Sequence, residues 1–131
     1  MITRIEDELI SLRNIIVNYP KQYKLLKEQL TSIEKERQDL LHVLELGNLN
    51  AIDQSKIARD LKEVLLKRRL IKDDIEILEE IYNFTNGNIN KSTIGDVIGR
   101  IRGIMKRREN RKYHLRIRKD LQNYINRGVV K

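Results

Sequence analysis

The strongest constraint on the fold is an apolar residue every three or four positions, sustained across the first two thirds of the chain. Ile2, Ile5, Leu9, Leu12 and Ile16 start it, and Tyr23, Leu26, Leu30, Ile33, Arg37, Leu40 and Leu44 continue it. Ile57, Leu61, Val64, Arg68, Ile71, Ile75, Leu78 and Tyr82 then carry a third run. This spacing places all members of a run on one side of an α-helix, whereas a strand would split them between two faces. Helix is therefore predicted over nearly all of the first 84 residues.

Local signals divide that length. Thr3 and Glu6 form a capping-box pattern at the start. Pro20 is predicted to interrupt the first helix and to occupy the first turn of a second. Gly47 and Asn48 are a stop signal, Asn50 and Asp53 are suited to open the next helix, and Asn86 with Gly87 closes it. The two long helices, joined by a few residues, are expected to lie antiparallel, with the first helix packed alongside. With no Trp and one Phe, Phe84, the core must be built from Leu and Ile. Stripes this wide exceed what one hairpin covers, so self-association is expected. Arg37 and Arg68 stand where Leu or Ile would continue the seam. Their stems are expected to cover it while their heads reach water.

Charge divides the chain differently. Residues 90 to 131 hold thirteen Lys and Arg against Asp96, Glu109 and Asp120, a surplus of ten positive charges. Residues 1 to 89 hold fourteen bases and sixteen acids, a balance of −2. The expected organisation is a helical oligomerisation body over 1–87 and a basic binding module over 88–131. Such an end points to an anionic partner.

The basic module raises its own question, because Gly95, Gly99 and Gly103 recur every four residues in "TIGDVIGRIRGIMKRRENRKYHLRIRK". Glycine in a helix interior costs about 1 kcal/mol relative to alanine. If the segment is helical, Thr93 and Asp96 start it, Ile94, Ile98, Ile101 and Met105 form its packing face, and the glycines form a smooth strip for close approach of another backbone or a ligand. An alternative makes "RIRGIMKR" and "KYHLRIRK" two short strands, since Tyr113, Leu115 and Ile117 alternate with His114, Arg116 and Arg118. A short helix, "DLQNYINRG", ends the module in both readings. The fold class is thus mainly α, a long antiparallel hairpin or coiled coil with an N-terminal helix and a small basic C-terminal subdomain, helical or a β-hairpin plus helix.

Both readings gather Arg100, Arg102, Lys106, Arg107, Arg108, Arg111, Lys112, Arg116 and Arg118 as candidate phosphate ligands. Arginine suits that role because its planar fork donates two parallel hydrogen bonds and stacks on bases. Tyr113 and His114 are candidate stacking surfaces. Within the pattern, Arg100 and Arg102 are expected to hold a phosphate beside the glycine strip, and the outer arginines to steer it in. No helix-turn-helix, zinc-finger or RNA-binding signature accompanies the cluster.

Catalytic patterns are absent. His42 and His114 are the only histidines, and Ser11, Ser32, Ser55 and Ser92 lack a nucleophile-elbow context. No Walker loop or dinucleotide fingerprint occurs. The acidic run "DDIEILEE", Asp73 to Glu80, is expected to be a solvated face with local partners such as Lys72 to Glu76. No enzyme activity, cofactor or metal is expected. Cysteine is absent, and no segment approaches the roughly 20 apolar residues of a membrane span. A soluble, cytoplasmic protein is expected. Ile, Lys and Asn are abundant while Ala occurs only at Ala51 and Ala58, a bias that suits an AT-rich genome.

The passage "NYPKQYKLLKEQLTSIEKE" resembles the opening helices of small late-gene transcription regulators from phages of Gram-positive bacteria. The central "LELGNLNAIDQSKIARDLKEVLLKRRLIKDDIEIL" is similar in style to helical proteins of such phages. The resemblance covers about the first 80 residues and implies a phage or prophage origin, in a bacterial host cell. Those regulators end in a helix-turn-helix, which residues 90 to 131 lack, so no functional residue is carried over. The expected function is non-enzymatic: an oligomeric protein whose Arg-rich module binds nucleic acid. The alternative is a counter-defence protein that blocks a host nucleic-acid-dependent effector or sequesters a small nucleotide signal. A scaffold with a merely solubilising basic end is the third reading.

Overall fold

Two helices of 28 and 35 residues, α2 (Tyr19–Leu46) and α3 (Ala51–Thr85), run antiparallel and form the most extensively packed pair of the protein. In this computed structural model, which describes residues 2–128, α1 (Ile2–Arg13) precedes them. The chain continues with α4 (Lys91–Glu109), an irregular segment over 110–118, a 3₁₀ turn (Lys119–Leu121) and α5 (Gln122–Gly128). The described residues are mainly α and contain no strand. The β-hairpin alternative for residues 97–118 is therefore replaced by a helix to Glu109 and an irregular stretch beyond it.

Capping explains the boundaries. Asn50 accepts a hydrogen bond from Asp53 N at 2.8 Å, satisfying one of the orphan donors at the start of α3. At the end of α2, Gly47 donates to Val43 O at 2.9 Å before the backbone turns extended. A Cβ at Gly47 would lie 2.5 Å from that same oxygen, so this turn requires glycine unless the helix end shifts.

Pro20 does not interrupt the helix as expected. Residues Asn14–Asn18 form a π-helical turn, with Tyr19 N donating to Asn14 O, so α1 runs into α2 without a break. The reason is local. Proline lacks an N–H and its ring clashes with the carbonyl four residues back, and the wider π register relieves that conflict. A second correction follows, because α1 does not fold back alongside the hairpin. Among the described residues it meets only the π turn and overhangs the body.

The core is thin. Its buried members are Tyr23, Val64, Leu78, Val97 and Ile104. Tyr23 and Tyr82 stack at 4.8 Å between ring centroids, closing the open end of the hairpin where α3 terminates. Helix α4 packs antiparallel on α3 and, among the described residues, has no close approach to α2, so α3 is central and packs against both.

Candidate anion-binding surface

Helix α4 begins with a reciprocal cap: Asn90 accepts from Thr93 N, and Thr93 Oγ1 accepts from Asn90 N, both at 2.9 Å. Asn90, rather than Thr93 with Asp96, is the capping residue. The helix turns a face different from the expected one toward α3. Val97 and Ile104 are buried and Ile101 is half-buried, whereas Ile94, Ile98 and Met105 are exposed. One consequence is that Gly95, Gly99 and Gly103 lie away from α3. A Cβ at any of them would meet nothing within 4 Å.

This rotation divides the basic cluster. Arg100 pairs with Glu80 at 2.7 Å, Arg107 with Glu76 at 3.4 Å, and Arg108 and Arg111 converge on Asp73 at 3.8 and 3.1 Å. Three acids spaced along α3 thus meet four arginines from α4 and the residues just beyond it. The acidic run is salt-bridged, but Glu76 takes its partner from α4, not from Lys72. Sequence reasoning misses Asp73, Glu76 and Glu80 as partners of α4. The available signal is their three- and four-residue spacing, matched by basic residues across a short loop.

Beyond α4, Arg111 donates to Tyr113 Oη at 3.3 Å, and the Arg69 guanidinium lies 4.6 Å from the Tyr113 ring centroid. Gln122 clips the irregular segment in place, donating to Tyr113 O and accepting from Leu115 N, each at 2.7 Å. Arg118 is paired with Asp120 at 2.7 Å. That hydrogen bond raises the pKa of Arg118 and lowers that of Asp120, so both hold their charge in a local pair. His114 is exposed.

What remains is a smaller set. Among the described residues, Arg102, Lys106, Lys112 and Arg116 are exposed and have no acidic partner within salt-bridge distance. On an α-helix Arg102 and Lys106 are one turn apart, on the same side as the glycines. Arg100 and Arg102, expected to act together, are separated: one faces α3 and the other is unpaired.

A groove of about 460 Å³ along α3 is lined by Arg68, Arg69, Lys72 and Arg111 together with Asp73, Glu76 and Glu79. Its mixed charge gives it little pull on a polyanion. Midway along the hairpin, Glu34 is held by Arg68 across the helices and by Arg37 at 3.4 Å on its own helix. The two seam arginines therefore meet a carboxylate instead of only reaching water. Among the described residues no cluster of His, Asp and Glu has the makings of a metal site, and no helix is long and apolar enough to cross a membrane. Comparisons of this chain with protein-family models, curated proteins and solved structures find no match.

Proposed function

We propose that this chain is a non-catalytic, self-associating binding protein whose C-terminal module takes up nucleic acid through its phosphate backbone. The observation that carries the reading is the division of the basic cluster. Arg100, Arg107, Arg108 and Arg111 stay with the acids of α3, while Arg102, Lys106, Lys112 and Arg116 are left exposed without an acidic partner among the described residues. Unpaired cations on an exposed surface attract a phosphate chain and release its counterions on contact. The glycines beside Arg102 and Lys106 keep that side of α4 smooth, which lets a backbone come close. Tyr113, with one ring face toward Arg69, and exposed His114 are flat groups available near the same charges. A phage origin fits the resemblance of the first 80 residues, and capture of a host effector's nucleic acid is the form a counter-defence role would take.

The test is titration of labelled single- and double-stranded DNA and RNA at several salt concentrations. Binding that weakens linearly in log–log form as salt rises supports the proposal. Saturable binding of a mononucleotide with little salt response would favour the small-nucleotide alternative. No binding of either would leave a scaffold.

A further inference from the structure

We infer that α1 docks antiparallel against α1 of a second copy of this chain, in a register that sets Leu9 opposite Leu12 and Ile5 opposite Ile16. This deepens the self-association part of the function proposed above and rests on it. Ile5, Leu9, Leu12 and Ile16 are 49, 58, 49 and 43% exposed, although they follow the spacing of an interhelical seam. No described element covers Ile5, Leu9 and Leu12, since α1 touches only the π turn, and Ile16 stands on that turn with its side chain still exposed. Continuity with α2 through the π turn keeps α1 helical, and its exposed apolar stripe calls for a partner.

The space beside α1 is open because α3 ends early. The Tyr23–Tyr82 stack puts the last turn of α3 level with the start of α2, and no described element continues past it. A second α1 running antiparallel would extend the line of α3 along the overhang.

Charge selects the orientation. Glu6 and Arg13 are seven residues apart, two helical turns, and so share one flank of the stripe. An antiparallel partner brings Arg13 of each copy to within about 3 Å, along the axis, of the level of Glu6 of the other. In a parallel pair the flank that carries Glu6 and Arg13 would lie on opposite sides of the interface in the two copies, so Glu6 and Arg13 could not meet. The opposite flank is already satisfied, with Arg4 donating to Glu8 at 3.2 Å. The reciprocal Glu6–Arg13 pairing is thus available in the antiparallel direction only, and it occurs twice across a two-fold interface.

Light scattering on the full chain at roughly 100 µM, within the range of weak association, tests this together with variants. The wild type is expected at twice the 15.6 kDa of one chain or a multiple of it. Leu9→Lys should raise the dissociation constant at least about tenfold while helical content by circular dichroism stays unchanged, because α1 supports no other element. Arg13→Glu should weaken association, and adding Glu6→Arg should restore it. A second readout uses the absence of cysteine: a mixture of Leu9→Cys and Leu12→Cys chains should cross-link faster than either alone. An assembled wild type whose mass Leu9→Lys does not change would overturn the α1 interface and leave self-association standing. A monomeric wild type would overturn both. Faster cross-linking of Leu9→Cys with itself than with Leu12→Cys would overturn the antiparallel register.

Discussion

Arg111 donates to both carboxylate oxygens of Asp73, at 3.1 and 3.4 Å, and so ties the chain just beyond α4 to the middle of α3. Asp73 receives Arg108 as well, at 3.8 Å, and its side chain is only 14% exposed. The same acid that docks α4 therefore holds two arginines that would otherwise attract an external anion. Glu76 and Glu80 do this for Arg107 and Arg100.

Asp73→Asn should move two properties in opposite directions. Loss of the two-point pair should cost about 1 kcal/mol of stability, toward the upper end for a partly exposed pair. Release of Arg108 and Arg111 should tighten polyanion binding at low salt. Thermal melts and a DNA titration on the same preparation check both. A variant that loses stability and binds more weakly would mean that the docked geometry of α4 matters more than the freed charge.

The two sets of cations should differ in salt response. Arg102→Gln with Lys106→Gln should lower the log–log salt slope of nucleic-acid binding by about two, one for each phosphate no longer neutralised. Arg107→Gln should change it less, because Arg107 is already engaged by Glu76. Equal changes in the slope would indicate that the pairing with α3 does not persist in the complex.

Glu34 introduces a pH dependence. The hydrogen bond from Arg68, aided by the nearby positive charges of Arg68, Arg37 and Lys72, holds its pKa below the ordinary glutamate value. A depressed folded-state pKa means that the unfolded chain binds the proton more readily. The stabilisation is therefore present above the ordinary glutamate pKa, about 4.3, and disappears as pH falls through the lower folded-state value. The difference in Tm between wild type and Glu34→Gln should be widest at neutral pH and should narrow on acidification. A difference independent of pH would place the effect of Glu34 in packing instead of charge.

Glycine substitutions should separate two kinds of position. At Gly99 a methyl group meets open space, so Gly99→Ala should stabilise the chain by about 0.5–1 kcal/mol. Gly99→Leu should leave the fold intact and lower binding only where a ligand or second chain approaches that side. At Gly47 the added Cβ would press on Val43 O, so Gly47→Ala should lower Tm. A pair of melting curves, one for each variant, checks the opposite signs.

The helical class, the lengths of α2 and α3, the cap at Asn50 and the concentration of charge after residue 90 are legible in the sequence. Each depends on residues close together in the chain, where side-chain spacing and backbone sterics act. Two local features mislead. Pro20 has the form of a break, whereas a π turn absorbs the conflict it creates, and the alternation of residues 113–117 suggests a strand that has no partner to pair with among the described residues. The rotation of α4 is beyond local reading. Its apolar residues form a band broad enough to pack through Ile94, Ile98 and Met105 or through Val97 and Ile104, and contact with α3 chose the second. That choice turned the glycines away from α3 and assigned Arg100, Arg107, Arg108 and Arg111 to acids 20 to 38 residues away in the chain. A sequence places charges along a helix, but which of them are neutralised depends on the neighbour that the packing face selects.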